Sequence, residues 1–233
     1  HLMAQNFKNI VEKFGGTVLF EEYYEEGKAD YRSNFDVLRL KKYNLDRERD
    51  YIGGAIDSIG LEEDEQQKWL QDSTITFDAL FIAASDPEDA SVLATQAFYN
   101  KVKADLLGSS GWYSTITLKK GKQYVEGAYF STPLIDHDEN SEWTMFRKAY
   151  MDRWGAYPDK DRVSGLTYNA ARFMLWGIKS GGTDVVKTMR SAKTVKGVYG
   201  KMKFNAAEGY NDGRTILKIE NARFFTAKKC KDF

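Results

Sequence analysis

The sequence contains very few of the residues that form disulfides, bind metals or act as catalytic bases. Its 233 residues include one cysteine and two histidines. Because Cys230 has no second cysteine to pair with, the fold has to rest on packing and not on an internal disulfide. A Ser-His-Asp or Cys-His arrangement would depend on His137 alone, since His1 stands at the chain start, and no Gly-x-Ser-x-Gly segment occurs. We therefore expect a protein that is not an enzyme.

Net charge and long apolar runs are lacking as well. Lysine plus arginine and aspartate plus glutamate both number 34, so the net charge is zero and nothing favours a nucleic acid partner. No apolar run approaches the roughly 18 to 20 residues of a membrane span. Residues 136–140 resemble a calcium loop, but Ser141 and Arg147 stand where that loop needs glycine and glutamate, so a polar turn is the simpler interpretation. We expect no cofactor, no metal and no membrane span.

The patterns that are present predict a globular α/β protein, with 42% hydrophobic residues available for a core. Apolar residues up to Phe14 recur at helical spacing and stop at Gly15-Gly16. The chain thus opens inside a helix, which suggests that the sequence is a fragment. A predicted strand at residues 17–24 and a helix over about residues 31–43 follow.

Strands and helices alternate through the middle of the chain. Residues 77–84 form a nearly continuous apolar run, typical of a strand covered on both faces. The segment Ser85-Asp86-Pro87-Glu88 predicts a helix start, because it offers a polar cap, an early proline and acids; this helix extends to about Val102. Further strands are predicted at residues 105–108 and 124–132. We expect all four predicted strands to lie in one mainly parallel sheet flanked by helices.

Residues 45–76 interrupt this alternation. The stretch is rich in acids, contains Gly53-Gly54, and has few well-placed apolar residues apart from a possible short helix at about residues 62–70. It is either a solvated excursion or an element that docks a partner.

A second pattern begins at Asn140. It predicts three helices and two strands. The first helix has Trp143, Phe146, Tyr150 and Trp154 on one face and ends at Gly155; the second has Leu166, Ala170, Phe173, Met174 and Ile178 on one face and ends at Gly181-Gly182; the third covers about residues 184–192. The strands are residues 198–204 and 214–225, joined by a loop with Asn211-Asp212-Gly213.

An ordered series of segments resembles a known family. Residues 77–84 are Phe-Asp-Ala-Leu-Phe-Ile-Ala-Ala, residues 106–112 are Leu-Leu-Gly-Ser-Ser-Gly-Trp, and residues 125–133 are Val-Glu-Gly-Ala-Tyr-Phe-Ser-Thr-Pro. In order and spacing these segments, together with residues 166–171 and 197–205, resemble leucine/isoleucine/valine-binding proteins, the substrate-binding proteins of branched-chain amino acid ABC transporters. The resemblance covers nearly the whole chain outside residues 45–76.

That resemblance implies the periplasmic-binding-protein type 1 fold, in which two α/β lobes with mainly parallel sheets flanked by helices close on a small ligand. It implies that residues 1–135 form the second ligand-binding lobe, with an insertion at 45–76. Residues 136–210 would be the remaining part of the first lobe, and residues 211–233 a strand that returns through the hinge. The first lobe is then incomplete, and residues 143–178 should form a lobe that lacks strands and exposes apolar surface.

The same resemblance implies five ligand-binding candidates. Glu126 matches the family glutamate that receives an amino acid's ammonium group in the cleft, although it also fits a solvated loop residue. Ser85 stands where family members often carry an aromatic side chain, and its hydroxyl could still bind an acceptor. Trp112 and Tyr113 either project into the cleft or pack in the core or rim. Tyr168 matches a tyrosine of a family helix, where burial is the simpler role.

Two functions fit these expectations. The first is an extracytoplasmic solute-binding protein that captures a small amino acid-like ligand and docks on an ABC permease. The second is a periplasmic interaction module of the same fold, similar to activators of penicillin-binding proteins, with a cell-wall synthase as partner. Glu126 favours the first function, whereas Ser85 and the acidic residues 45–76 favour the second.

Overall fold

A computed structural model describes residues 2–52, 73–132, 141–158, 163–181, 184–192, 194–202, 204–205, 210–211 and 215–227. Its helices are α1 (Leu2–Lys13), α2 (Arg32–Ile52), α3 (Pro87–Tyr99), α4 (Thr115–Gly121), α5 (Ser141–Trp154), α6 (Val163–Gly181) and α7 (Val185–Arg190), with short 3-10 helices at Ser110–Trp112 and Lys122–Val125. Its strands are β1 (Ile75–Ile82), β2 (Val102–Gly108), β3 (Tyr129–Thr132), β4 (Val195–Gly197), β5 (Gly200–Met202), β6 (Phe204–Asn205), β7 (Tyr210–Asn211), β8 (Thr215–Glu220) and β9 (Arg223–Thr226).

The chain divides into two compact units. Unit 1 contains His1–Phe130 and Lys218–Phe225, and unit 2 contains Ser131–Leu217 and Thr226–Phe233. The backbone therefore passes from one unit to the other at three points in the sequence. It stays a prediction that residues 1–135 form the second lobe, residues 136–210 the remaining part of the first lobe, and residues 211–233 a strand that returns through the hinge.

The main sheet confirms the α/β class. Among the described residues its strand order is β1-β2-β3-β8-β9. Strands β1, β2 and β3 are parallel, with Leu80 opposite Leu106 and Leu107 opposite Tyr129. Helices α3 and α4 supply the crossovers between them, as parallel strands require.

Two of the four strands predicted for this sheet are present with shifted bounds, as β1 (Ile75–Ile82) and β2 (Val102–Gly108), and the other two need a larger correction. Residues 17–24 form no strand; Phe20 instead packs its ring edge-on against Phe77 of β1, with 6.1 Å between ring centroids. Residues 124–132 are strand only from Tyr129 onward, because Tyr124 lies in a 3-10 helix and Gly127 in a turn with φ +81°. A segment rich in β-branched and aromatic residues does not have to be a strand. Its side chains can pack against a sheet while its backbone forms no ladder hydrogen bonds.

The start of α3 follows from its local sequence. The Asp86 carboxylate accepts a hydrogen bond from the Glu88 amide at 2.6 Å, and Pro87 occupies the first turn. The helix ends earlier than predicted, since Lys101 adopts φ 56°, and β2 consequently begins at Val102 instead of residue 105.

Helix α2 is longer than predicted. It runs to Ile52 and so includes the first residues of the expected insertion, while Ile75 and Thr76 at the far end of that stretch belong to β1. Buried Arg39 donates to the carbonyl oxygens of Ser73 and Asn100, which ties α2 to the residues that precede β1 and β2. The short helix expected at about residues 62–70 lies outside the described residues.

Unit 2 has a small aromatic core. Trp143 and Phe146 of α5 pack with Val198 and Tyr199, and Tyr150 lies against them. Trp154, predicted for the same face, is 67% exposed, and Gly155 ends the helix with φ 67°. The two predicted tail strands need correction: residues 198–204 are not one strand, because Val198 and Tyr199 form the turn between β4 and β5, and residues 214–225 are interrupted by the Asn221-Ala222 turn between β8 and β9. The short pairs β4–β5 and β6–β7 are antiparallel. The segments Asp136–Asn140 and Asp212-Gly213 lie outside the described part.

Helix α6 is covered along small and polar residues, while most of its predicted apolar face is exposed. It contacts its unit through Gly165, which lies against the Tyr199 ring, and through buried Asn169, which accepts a 2.8 Å hydrogen bond from the Val198 amide. Leu166, Met174 and Ile178, which belong to the predicted apolar face, are exposed. Small and polar residues permit close backbone approach, and this contact decides which face is covered. The expectation of exposed apolar surface in this region is thus confirmed, while the expectation that the unit lacks strands is wrong for β4–β7.

None of the described helices is long and apolar enough to cross a membrane.

Candidate ligand-binding site

The carboxyl edge of the parallel strands in unit 1 is the candidate site. In open α/β sheets, ligands bind outside the carboxyl ends of the strands. Ser85 follows β1 and is exposed, whereas Ser109 follows β2 and is buried. The Ser109 hydroxyl donates to the Ala84 carbonyl oxygen, so the two loops are joined directly.

Two glycines let these loops approach closely. A β-carbon on Gly111 would lie within 3.0 Å of the carbonyl oxygens of Ala84 and Ser85. A β-carbon on Gly108 would lie 2.6 Å from atoms of the Trp112 ring. Only glycine permits both contacts without a shift of backbone or ring. The Ser85 loop after β1 and the Ser109–Gly111 loop after β2 are consequently packed tightly against each other. We call this contact between the two loops the seam.

Trp112 ties the loop after β2 to the end of β1. Its side chain is fully buried, and its indole N–H donates to the Ile82 carbonyl oxygen at 3.1 Å. Tyr113 is also buried, with its ring 4.9 Å from Phe224 and 6.2 Å from Phe130 between centroids. Ligand contact by Trp112 and Tyr113 stays a prediction; the contacts with Ile82, Phe130 and Phe224 lie within unit 1.

Ser110 is a residue that the sequence analysis did not select. It is exposed at the start of the 3-10 helix, next to Gly111 and hence beside the Ser85 loop. The signal was available in the small polar residues that directly follow a buried strand, which is where α/β proteins place ligand contacts.

Glu126 lies at the opposite end of β3 from this edge. It precedes β3, whereas Ser85 and Ser110 follow β1 and β2, and the three strands are parallel. Its two carboxylate oxygens accept hydrogen bonds from the amides of Asn221 and Ala222, at 2.9 and 2.7 Å. Those two residues form the β8–β9 turn, with φ values of 52° and 54°. The structure therefore does not bring Glu126 together with Ser85, and its ligand role stays a prediction.

Tyr168 belongs to α6 in unit 2. Its ring lies 4.8 Å from the Phe146 ring, and the Arg172 guanidinium lies 5.7 Å from its centroid. The side chain is 42% exposed, so the burial considered for it is only partial. Contact between Tyr168 and a ligand stays a prediction.

The buried charge nearest the start of α3 is Asp89. Its carboxylate accepts hydrogen bonds from the Gly27 amide at 3.0 Å and from the Tyr31 hydroxyl at 2.8 Å. Burial raises the pKa of Tyr31, and the hydrogen bond to Asp89 raises it further. Burial also raises the pKa of Tyr24 to about 12, with the Asp89 charge as a second cause. These groups fix the segment before α2 against α3.

No group of three metal-binding side chains (histidine, cysteine, aspartate or glutamate) is found within the described ranges.

The chain is similar to solute-binding proteins of known structure. A branched-chain amino acid ABC transporter protein from Rhodospirillum rubrum is 20% identical, with a TM-score of 0.68 over 96% of this chain and 56% of that one. A leucine-binding protein from Thermotoga maritima is 16% identical, with a TM-score of 0.61 over 97% and 55%. A solute-binding protein of an ABC transporter from R. palustris, in complex with benzoate, is 14% identical, with a TM-score of 0.56 over 96% and 53%.

The chain thus spans about half the length of these solved structures. Among curated proteins, none matches the sequence. The model of the family described as periplasmic binding protein matches residues 1–229, and the similar structures share its type 1 fold. The expected family and fold are both confirmed, and the chain belongs to the periplasmic binding protein family.

Proposed function

We propose that this chain is part of an extracytoplasmic solute-binding protein that captures a small amino acid-like ligand and delivers it to an ABC importer. The observation that carries the proposal is the seam at the carboxyl edge of β1 and β2, where Ser85 and Ser110 are exposed and Trp112 is buried. The serine hydroxyls donate and accept hydrogen bonds, and the locked loops would hold them in place when a ligand arrives. An extracytoplasmic location and a role without catalysis follow from the same proposal.

Support for the ligand class comes from similar proteins. One is a leucine-binding protein, and another was solved in complex with benzoate. Leucine and benzoate both carry a carboxylate, so we propose a small carboxylate-bearing solute. An amino acid would in addition need an acidic partner for its ammonium group.

A thermal-shift screen of the full-length protein against amino acids and other small carboxylates tests this function. A ligand that binds only the folded state stabilises it by about 2.7 kcal/mol at a concentration one hundred times Kd. We expect at least one carboxylate to raise the melting temperature, and Ser85→Ala to reduce that shift. A screen in which no small solute changes the melting temperature would contradict the proposal.

The alternative of a protein-interaction module has one observation in its favour. Phe98 and Tyr99 at the end of α3 are 62% and 66% exposed, and Tyr99 shares a 2.7 Å hydrogen bond with the hydroxyl of Tyr124. The three rings form an exposed aromatic cluster on unit 1, of the kind enriched at interfaces.

A pull-down from envelope extract tests this alternative, with a cell-wall synthase as the expected partner. The informative deletion replaces residues 53–72 by a Gly-Ser linker, because residues 45–52 and 75–76 belong to α2 and β1. Loss of a synthase from the captured proteins upon deletion, or upon Phe98→Ala, would favour the interaction module. Capture that neither change affects would count against it.

A further inference from the structure

At the carboxyl edge of the parallel strands in unit 1, serine hydroxyls are exposed to a ligand, whereas the nearby carboxylates are engaged in hydrogen bonds or an ion pair within the protein. Ser85 and Ser110 are exposed on loops that touch through Gly111. Three acids lie at or near the start of α3 in this region. Each has a partner: Asp86 accepts from the Glu88 amide at 2.6 Å, the Glu88 side chain pairs with Lys120 at 2.8 Å, and buried Asp89 accepts from the Tyr31 hydroxyl at 2.8 Å.

Glu126 is not an anionic partner for a ligand at this edge, because it precedes β3 and its carboxylate binds the backbone of a turn. Successive amides in a turn with positive φ values create a concave site that suits an anion. The amides of Asn221 and Ala222 form such a site, and each carboxylate oxygen of Glu126 accepts one of them. The neighbouring hydrogen bond from the Gly127 amide to the Ile219 carbonyl oxygen, at 2.9 Å, joins the segment that carries Glu126 to β8. Glu126 is thus a positioning residue for the β8–β9 hairpin.

We infer that the solute bound at the Ser85–Ser110 seam is a small carboxylic acid that carries no ammonium group. This inference rests on the proposed solute-binding function and narrows its ligand class. An ammonium group that leaves water needs an anionic partner, and burying it without one is costly. Hydroxyls satisfy carboxylate, hydroxyl or carbonyl oxygens without a charge of their own. The described edge of unit 1 therefore suits a deaminated acid better than the corresponding amino acid.

Matched ligand pairs test this inference on the full-length protein. Isothermal titration calorimetry would compare leucine with 4-methylpentanoate and phenylalanine with 3-phenylpropanoate, with benzoate as a further probe. Because the members of each pair differ only in the ammonium group, the affinity ratio isolates its contribution. We expect the deaminated acid to bind at least about tenfold more tightly in any pair that binds.

Three variants make the result specific to this edge. Ser110→Asp, which adds an exposed carboxylate to the seam, should shift the ratio toward the amino acid by about tenfold. Asp86→Asn, which keeps a helix-capping side chain, and Glu126→Gln should leave the ratio unchanged. A preferential loss of amino acid binding in either variant would assign the ammonium group to that acid and overturn the inference.

The remaining outcomes are also decisive. Tighter binding of the amino acids by the unmodified protein would overturn the inference and leave the solute-binding function standing. A ratio that Ser110→Asp does not change would overturn the placement of the ligand at the seam. If neither member of any pair binds, and benzoate does not bind, the solute-binding function itself is overturned together with the inference.

Discussion

Single residues decide how closely the two loops of the candidate site approach each other. Gly111 lies against the backbone of Ala84 and Ser85, and Gly108 lies against the Trp112 ring. Neither position tolerates a side chain without movement of its neighbours. The site is therefore sensitive to additions of one methyl group at positions that carry no functional group.

We expect Gly111→Ala to destabilise the protein by about 1 to 3 kcal/mol, because the added methyl group would overlap two carbonyl oxygens. Urea denaturation of the two proteins measures this difference. Ser110→Ala is the matched control: it changes the adjacent, exposed residue and should alter the free energy of unfolding by less than about 0.5 kcal/mol. Equal stabilities for Gly111→Ala and the unmodified protein would show that the seam is not tightly packed.

A pH dependence follows from Tyr24. Burial raises its pKa to about 12, whereas an unfolded tyrosine titrates near 10. The folded protein thus holds the phenolic proton more tightly, so this contribution to stability is complete below pH 10 and is lost as the pH rises toward 12. We expect the free energy of unfolding to fall more steeply between pH 10 and 12 in the unmodified protein than in Tyr24→Phe. Below pH 10 the two curves should run parallel, and identical slopes above pH 10 would contradict the prediction.

At the scale of elements, buried Arg39 links α2 to the segments that lead into β1 and β2. Its guanidinium donates to two carbonyl oxygens, and burial lowers the pKa of this group. The parallel pair β1–β2 has no short turn to set its register, so a cross-link between their preceding segments helps to define it.

We expect Arg39→Met to destabilise the protein by about 2 to 4 kcal/mol, because the carbonyl oxygens of Ser73 and Asn100 lose charged donors. Chemical denaturation gives the magnitude. Amide hydrogen exchange should show faster exchange at Ile75, whose amide bonds to the Lys101 carbonyl oxygen. Arg32→Met is the control, since that side chain is 73% exposed. If Arg39→Met lowers the free energy of unfolding no more than Arg32→Met does, Arg39 does not link α2 to the segments before β1 and β2.

At the scale of the whole molecule, the two units differ in how their apolar residues are distributed. Unit 1 buries large side chains such as Trp112, Phe130 and Ile75 around a mainly parallel sheet. Unit 2 has a smaller core, and α6 exposes Met174, Leu175 and Ile178, each 55% accessible. Exposed apolar surface of this kind favours association.

We expect Met174→Lys to leave the free energy of unfolding within about 0.5 kcal/mol of the unmodified value, because the side chain contributes little to the core of unit 2. Self-association, measured by sedimentation velocity over a range of concentrations, should decrease. Gly165→Ala provides the contrast, as its β-carbon would overlap the Tyr199 ring and lower stability. Strong destabilisation by Met174→Lys would mean that this face of α6 is covered.

The sequence by itself determined the class of fold, the family and most helices, because apolar periodicity, capping residues and glycine stops are local signals. The Asp86 cap of α3 and the Gly155 end of α5 are examples. Only the tertiary structure decided which face of α6 is buried, since that choice depends on the close approach of Gly165 and Asn169 to residues far along the chain. The same holds for the candidate site. The order of residues cannot show that Glu126 binds a turn almost one hundred residues later, or that Gly111 packs against the Ser85 backbone. These contacts exist only once the strands have paired.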